Sequence, residues 1–276
     1  MSTRSISTRP MSTRHLLASL ALASLALPAQ AASVQVKVTV ENLAPTNSLA
    51  FAPLHLGFHG GSFDVFDIGQ TAGAEIIGIA EGGSNALWAP AFQAADPNAV
   101  LGSILPAGII GGETASATFV VDSAVNPYFS FAAMVLPSND FFIANDDPMQ
   151  YRLFDANGNL NLSSITLKST DIWDAGSEVH DPLAAAFVTD GINGNRVNQN
   201  SVVAFNFAEF SAYNGLVTAR GYTFDSQLNA NSEVYRIAFD VTPVPEPETY
   251  AMMLVGLGLI GLAARRRKKA VMLTEG

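Results

Sequence analysis

The stretch SVQVKVTV at residues 33–40 alternates strictly between valine and polar residues. Val34, Val36, Val38 and Val40 fall on one face of an extended chain, and the polar residues fall on the other. This period of two is typical of a strand in an antiparallel sheet that has one buried and one solvated face. The chain is therefore expected to build its core from sheets rather than from amphipathic helices.

Six further β-rich runs follow, and clusters of Gly, Asn, Asp and Pro separate them. They are residues 53–59, 115–122, 128–137, 163–169, 201–210 and 233–241. Short strands with this turn punctuation and no sustained 3.6-residue period predict an all-β fold, an antiparallel β-sandwich spanning residues 32–243. One short helix is expected at AGAEIIGIAEGG, residues 72–83, with Gly82 and Gly83 ending it.

The charge of this middle region is strongly acidic. Between residues 32 and 245 there are six basic residues and 21 acidic ones, a formal charge of −15. Such a surface repels nucleic acid and favours divalent cations or cationic partners. The chain has no cysteine, so disulfides and thiolate chemistry are excluded and a structural metal is the remaining kind of cross-link.

The first 31 residues have the layout of a secretory signal peptide. Arginines precede an apolar stretch from Leu16 to Ala29, and the small residues Ala29 and Ala31 predict cleavage after Ala31. The tetrapeptide MSTR occurs at both 1 and 11, so Met1 and Met11 are both candidate starts. Export is expected with either start.

The other end, residues 244–269, reads as a second targeting segment. Prolines at 243, 245 and 247 prevent the last strand from continuing, and an uncharged helix is expected over residues 250–264. Fifteen residues span about 22 Å, which is short for a bilayer crossing but sufficient with flanking residues. The basic run at 265–269 predicts that this end stays cytoplasmic while the acidic domain lies outside.

Pro245-Glu246-Pro247, the short apolar helix and the cluster Arg265, Arg266 and Arg267 resemble the PEP-CTERM sorting signal of Gram-negative bacteria. The resemblance implies recognition by an exosortase in the inner membrane, cleavage near the PEP motif, and delivery to the cell surface or extracellular matrix. The helix also contains a G-x-G-x-x-G pattern at residues 256–261. No βαβ unit surrounds this pattern, so a dinucleotide site is not expected.

The stretch DIWDAGSEV, residues 171–179, places Asp174 and Glu178 on either side of three small residues. Two carboxylates held together by a turn are typical of a cation site, although acidic glycine-containing turns are also common on protein surfaces. A second acid, Asp140, follows the strand that ends at Pro137. Since loops cluster at the edge of a sandwich, three carboxylates could converge on one calcium ion, completed by backbone carbonyls and water.

The segments FHGGSFDVFDIGQTAGAEIIGIAEGG, MVLPSNDFF and WDAGSEV resemble, in order and near spacing, the spondin domain shared by F-spondin and mindin. The likeness covers residues 33–188. It implies a β-sandwich related to C2 domains with one bound Ca²⁺, and by position its ligands are Asp140, Asp174 and Glu178. The animal proteins usually have aspartate where this chain has Glu178, which shifts the reach of that carboxylate.

Other candidate sites have plainer interpretations. Asp155 to Asn159 resembles the start of an EF-hand loop but lacks the closing glutamate, so a turn between strands is favoured. His55 and His59 have no obvious third ligand and are expected to be structural. His180 is either a loop residue or a group that orients a metal ligand. Trp88 and Trp173 are expected to pack, with Trp173 anchoring the acidic turn.

The favoured function is a non-catalytic surface or matrix module for adhesion or biofilm assembly, recognising an extracellular polysaccharide or surface protein. No nucleophile elbow is present, so catalysis has no positive support. The alternative is a secreted polysaccharide hydrolase that uses a carboxylate pair such as Asp140 with Asp174. A third hypothesis is a permanently anchored protein whose C-terminal helix is retained.

Overall fold

The computed structural model describes residues 33–105, 108–204, 207–244, 254–261 and 265. The predicted signal peptide with Ala29 and Ala31, and the sorting residues Pro245, Glu246, Pro247, Arg266 and Arg267, lie outside the described residues. Residues 254–261 are helical, within the segment where the sequence predicts a helix over 250–264.

Strands dominate the described part of the chain. The strands are β1 Ser33–Asn42, β2 Ala50–Phe51, β3 Leu54–His59, β4 Val100–Ile104, β5 Thr114–Asp122, β6 Tyr128–Leu136, β7 Phe141–Ala144, β8 Ser164–Lys168, β9 Trp173–Asp174 and β10 Glu233–Pro243. The α-helices that join them are α1 Ala74–Gly82 and α2 Trp88–Ala95. Short 3-10 helices occupy Ser169–Asp171, Asn193–Asn195 and Phe207–Tyr213.

The first sheet contains four antiparallel strands in the order β5-β1-β10-β8. Strand β1 lies between β5 and β10, and its four alternating valines are at most 9% exposed. The alternation in the sequence thus predicts the buried face correctly. Because period-two residues share a face, these valines pack together into the main core with Ile237 and Phe239 of β10.

The second sheet has the order β4-β3-β6-β7-β9, and β2 also pairs with β6. All its pairings are antiparallel. Strands β3 and β6 are buried on both faces, apart from the first residue of β6. One face joins the main core through Leu56 and Phe131, so the two sheets share that core.

The other face of the second sheet is covered by α1, α2 and the loop before them. Ile76, Trp88, Phe92 and Phe142 form this second apolar cluster. Helix α1 ends where the sequence predicts, since Gly83 adopts φ 64° and its N–H bonds back to the carbonyls of Gly78 and Ile79. Helix α2 was not predicted, because its eight residues are too few to show a helical period.

The predicted strand at 201–210 is wrong. Ala204 makes only an isolated bridge to Asp174, and the chain then forms the 3-10 helix Phe207–Tyr213. Phe210 of this run is buried by ring packing instead of by a ladder, through its contact with Phe141 at a centroid distance of 4.8 Å. Alternating burial alone does not distinguish these two arrangements.

Candidate functional site

The loop from β6 to β7 holds Asp140 in a fixed position. The Ser138 hydroxyl donates to the Val135 carbonyl at 2.5 Å and accepts from the Phe141 N–H at 3.1 Å. Asp140 is only 3% exposed. The acid that the sequence places in a turn is therefore buried at the start of β7.

The predicted acidic turn follows β9 directly. Asp174 Oδ1 accepts a hydrogen bond from the Gly176 N–H at 2.6 Å, and Gly176 has φ 66°, a conformation that favours glycine. Residues 199–204 cover the turn, because the Ser201 N–H donates to the Gly176 carbonyl at 2.9 Å and the Ala204 N–H to the Asp174 carbonyl at 3.1 Å. The turn is thus held inside the fold.

Asp140 joins its loop to this turn. Its Oδ2 accepts hydrogen bonds from the N–H groups of Ser177 at 2.7 Å and Glu178 at 2.9 Å, and from the Ser177 hydroxyl at 3.2 Å. Its carbonyl accepts from the Ala175 N–H at 3.1 Å. The structure therefore brings together the two loops that carry the predicted calcium ligands.

The third predicted ligand, Glu178, faces a different partner. Its Oε2 lies 3.3 Å from Nε of Arg196 and its Oε1 accepts from Nη1 of Arg196 at 3.4 Å. The pair is close but imperfectly aligned, since the Oε2 contact lacks hydrogen-bond geometry. Arg196 also donates to the carbonyls of Glu81 and Ala184. The guanidinium thus occupies the charge-neutralising role that a metal ion would have for Glu178.

The electrostatic environment disfavours negative charge at all three acids. Burial raises the pKa of Asp174 to about 7, and the charge of Asp140 adds to this rise. Burial also raises the pKa of Asp140, against the opposing effect of the hydrogen bonds it accepts. The pKa of Glu178 rises to about 7 because burial outweighs the nearby Arg196. A cation next to Asp140 and Asp174 would relieve this cost.

Polar groups other than the three predicted ligands lie near the turn. The charge of Glu209 also raises the pKa of Asp174. Glu209 Oε2 lies 3.2 Å from Nδ1 of His180, and the Tyr213 hydroxyl donates to Oδ1 of Asn139 at 3.2 Å. Glu209 and Tyr213 belong to the 3-10 helix Phe207–Tyr213. Glu209 falls within the run predicted as a strand, and Tyr213 lies just beyond it. Of these residues, only His180 could be noticed from the sequence, because it follows the acidic turn closely along the chain.

The donor chemistry fits a hard cation in part. Asp140 and Asp174 are carboxylates on adjoining loops whose ionisation is disfavoured, whereas Glu178 is already paired with Arg196. Across the part of the chain that the structure describes, no group of three or more His, Asp or Glu side chains is arranged to hold a metal ion. A cation at this turn would therefore need backbone carbonyls and water beside the two aspartates.

The paired histidines of β3 have structural roles. His55 contacts the Ser103 hydroxyl at 2.8 Å and the Gly83 carbonyl at 2.9 Å. His59 contacts the Ser130 hydroxyl at 2.9 Å, and burial lowers its pKa to about 4. Both rings have hydrogen-bond partners within the protein, in line with the structural interpretation of their spacing.

Comparison with known families finds a match in the C-terminal targeting segment. Residues 243–268 match the PEP-CTERM protein-sorting motif. The motif implies exosortase-dependent sorting to the cell surface or extracellular space. It covers the sorting segment only, and no family match supports the spondin likeness of the domain itself. No curated protein matches the chain.

The helical segment of this motif is only partly described. Leu254, Leu257 and Ile260 are among its exposed apolar residues. Within the described residues, no helix has both the length and the apolar character needed to cross a membrane.

Proposed function

We propose that the chain is an exported, non-catalytic surface or matrix module with a spondin-type β-sandwich that binds one calcium ion and serves adhesion or assembly. The observation that carries this proposal is the joining of two loops through the Asp140 carboxylate. It brings Asp140 to the turn that follows Asp174, at a place where both carboxylates are disfavoured as anions. The spondin resemblance supports the same assignment by analogy.

Asp140 and Asp174 would hold the ion. Calcium supplies a positive charge there that favours ionised carboxylates and strengthens the connection between the two loops. Glu178 remains the predicted third ligand, and to act as one its side chain would have to exchange Arg196 for the metal. The ligand role of Glu178 is therefore proposed separately from that of the two aspartates.

Calcium titration of thermal stability tests the metal site. At a free calcium concentration 100 times the dissociation constant, we expect a stabilisation of about 2.7 kcal/mol. This corresponds to a rise in melting temperature of about 5 to 10 °C for a domain of this size. Asp174→Asn should abolish the rise, and Asp155→Asn, in an exposed acidic turn, should preserve it. Equal melting temperatures in EDTA and in millimolar calcium would refute calcium binding.

Glu178→Gln distinguishes two versions of the site. A smaller calcium-induced rise in this variant would assign Glu178 to the metal, whereas an unchanged rise would leave it with Arg196. Melting curves in EDTA provide the baseline, because Glu178→Gln also weakens the ion pair with Arg196.

Non-catalytic function is supported by the state of Asp140. A general acid or nucleophile must reach substrate, whereas Asp140 is 3% exposed and accepts three hydrogen bonds from the turn. Screening the purified protein against matrix polysaccharides tests this directly. A turnover that disappears in Asp140→Asn would establish the hydrolase alternative instead.

Sorting can be followed by the mass of the surface form. If an exosortase processes the protein, the intact mass of the surface form should correspond to a chain that ends near residues 245–249. A surface form that keeps the basic run at 265–269 would show that the helix is a permanent anchor.

A further inference from the structure

A groove of about 240 Å³ opens beside β9, at a different place from the acidic turn. It lies where the end of β7, the end of β8 and the start of β9 meet, at the edge strands of the two sheets. Its lining includes the apolar surfaces of Ile68, Tyr151 and Trp173 and the carboxylates of Asp146, Asp147 and Asp171.

The aromatic walls of the groove are held in place by packing. Trp173 is half-buried, pairs with Phe142 across β7 and β9, and packs its ring against Phe66 with centroids 6.4 Å apart. Tyr151 packs against Phe131 at 5.9 Å. The sequence predicts that Trp173 packs and anchors the acidic turn, and in the structure it also lines the groove.

Backbone hydrogen bonds hold the three carboxylates. Asp146 accepts from the Ile68 N–H at 3.2 Å, and Asp147 accepts from the Met149 N–H at 2.7 Å. Asp171 accepts from the Lys168 N–H at 2.8 Å. The carboxylates are therefore positioned before any ligand arrives, which lowers the entropy cost of binding.

Four arginines of the described chain make contacts outside the groove, whereas Lys168 is exposed and lies three residues before Asp171. The arginines at 196, 220 and 236 pair with acids outside the groove, and Arg152 lies over the Tyr128 ring at 5.9 Å. Negative charge accumulates at the groove instead: the pKa of nearby Asp64 is raised by burial and then by Asp67, Asp146 and Asp147. The groove therefore complements a positively charged ligand.

The shape and donor requirements favour a guanidinium. Since one water molecule occupies about 30 Å³, the groove has room for about eight, comparable to the seven heavy atoms of an arginine side chain. A guanidinium donates five N–H groups in a plane, pairs with several carboxylates and stacks on indole. A neutral sugar would leave the negative charge of the three aspartates uncompensated, so it matches the groove less well than a cation does.

We propose that this groove binds an arginine side chain presented by a basic segment of a protein partner, with the alkyl stem against Trp173 and the guanidinium among Asp146, Asp147 and Asp171. This inference deepens the proposed assembly function by naming the chemistry of the partner. It involves different residues from the calcium site, so the two are tested separately.

Isothermal titration calorimetry of the purified protein with a capped peptide of three arginines spaced by glycines tests the groove. The double variant Asp146→Asn, Asp147→Asn keeps an oxygen for the backbone bonds, and we expect it to weaken binding at least tenfold in 50 mM salt. The matched control is Asp190→Asn, Asp240→Asn, which removes the same charge from two exposed acids outside the groove. This control should bind as the parent does.

Peptide chemistry supplies the second comparison. A peptide with citrulline in place of arginine, similar in shape but neutral, should not bind, and the lysine peptide should bind more weakly than the arginine peptide. Equal loss of affinity in both double variants would mean that the peptide responds only to the net charge of the protein, and this would overturn the proposal. Tighter binding of a glucosamine oligomer than of the arginine peptide would also overturn it, in favour of an amino-sugar ligand.

Peptide binding by a variant of the proposed calcium site tests whether the groove and the metal site are independent. Asp174→Asn, measured in EDTA, should retain binding of the arginine peptide even though it loses the calcium-induced rise in melting temperature. Loss of peptide binding in this variant, while it remains folded, would contradict a groove that is independent of the metal site.

Discussion

Two acidic turns of this protein have similar sequences and opposite electrostatics. Residues 155–159 read DANGN and residues 174–178 read DAGSE, and each contains a glycine in the left-handed region. The Asp155 carboxylate accepts from the N–H groups of Asn157 at 2.8 Å and Asn159 at 2.9 Å, and these bonds lower its pKa. The pKa of Asp174 is instead raised to about 7 by burial.

The difference comes from what covers each turn. The first turn is exposed and its aspartate is satisfied by its own loop, so it behaves as an isolated turn motif. The second is covered by residues 199–204 and bonded to Asp140 from another loop. Local composition therefore predicts a turn in both cases, whereas the tertiary cover decides which of them can become a cation site.

Removing the Asp140 carboxylate, which joins the two loops, should give the largest difference in stability between the two turns. Asp140→Ala leaves the N–H groups of Ser177 and Glu178 without their acceptor in a buried place, and each such loss costs about 1–3 kcal/mol. We expect the free energy of unfolding in EDTA to fall by about 3 kcal/mol, measured by urea denaturation. Asp155→Ala, whose N–H partners are exposed to water, should cause a much smaller change. Similar losses of unfolding free energy in the two variants would mean that burial of the second turn adds nothing to its stability.

Alanine substitution of Gly176 and Gly158 tests whether residues 199–204 leave room for a side chain at the second turn. Both glycines have positive φ, 66° at Gly176 and 78° at Gly158, so both substitutions cost about 1 kcal/mol from backbone strain. A Cβ at Gly176 would also lie 2.8 Å from the Val202 carbonyl oxygen, which is covering backbone. At Gly158 it would meet only the Ser123 hydroxyl, which can rotate away.

We therefore expect Gly176→Ala to destabilise by about 2–3 kcal/mol and Gly158→Ala by about 1 kcal/mol. Thermal melting of both variants in EDTA provides the measurement. Equal shifts in melting temperature would show that residues 199–204 can move away from the added Cβ without loss of stability and do not constrain the turn.

Sequence reasoning reached those features that are set by local pattern. The alternating valines of β1 fix its buried face, Gly83 ends α1, and turn composition places the loops that carry Asp140 and Asp174. The ion pair between Glu178 and Arg196 could not be predicted, because Arg196 stands in an aperiodic polar loop 18 residues away. The 3-10 helix Phe207–Tyr213 was missed because its rings are buried by contacts distant in sequence, such as the contact between Phe210 and Phe141.

Opposite pKa shifts predict opposite pH dependence for the two aspartates. The pKa of Asp174 is about 7 in the folded protein and near 3.8 in the unfolded chain. Its contribution to stability is therefore complete below pH 3.8 and is lost as the pH rises through 7. The lowered pKa of Asp155 gives a contribution that is present above its unfolded pKa and is lost as the pH falls through its folded pKa.

Urea denaturation in EDTA between pH 5 and pH 8.5 tests this difference. After allowance for solvent screening of the half-buried carboxylate, we expect ionisation of Asp174 to cost about 1–2 kcal/mol across that range. Asp174→Asn should remove this part of the decline, while Asp155→Asn should leave the profile parallel to that of the parent protein. The difference between parent and variant isolates Asp174 from Glu178, whose pKa of about 7 acts in the same direction. A decline that persists unchanged in Asp174→Asn would assign the pH dependence to Glu178 and its contact with Arg196.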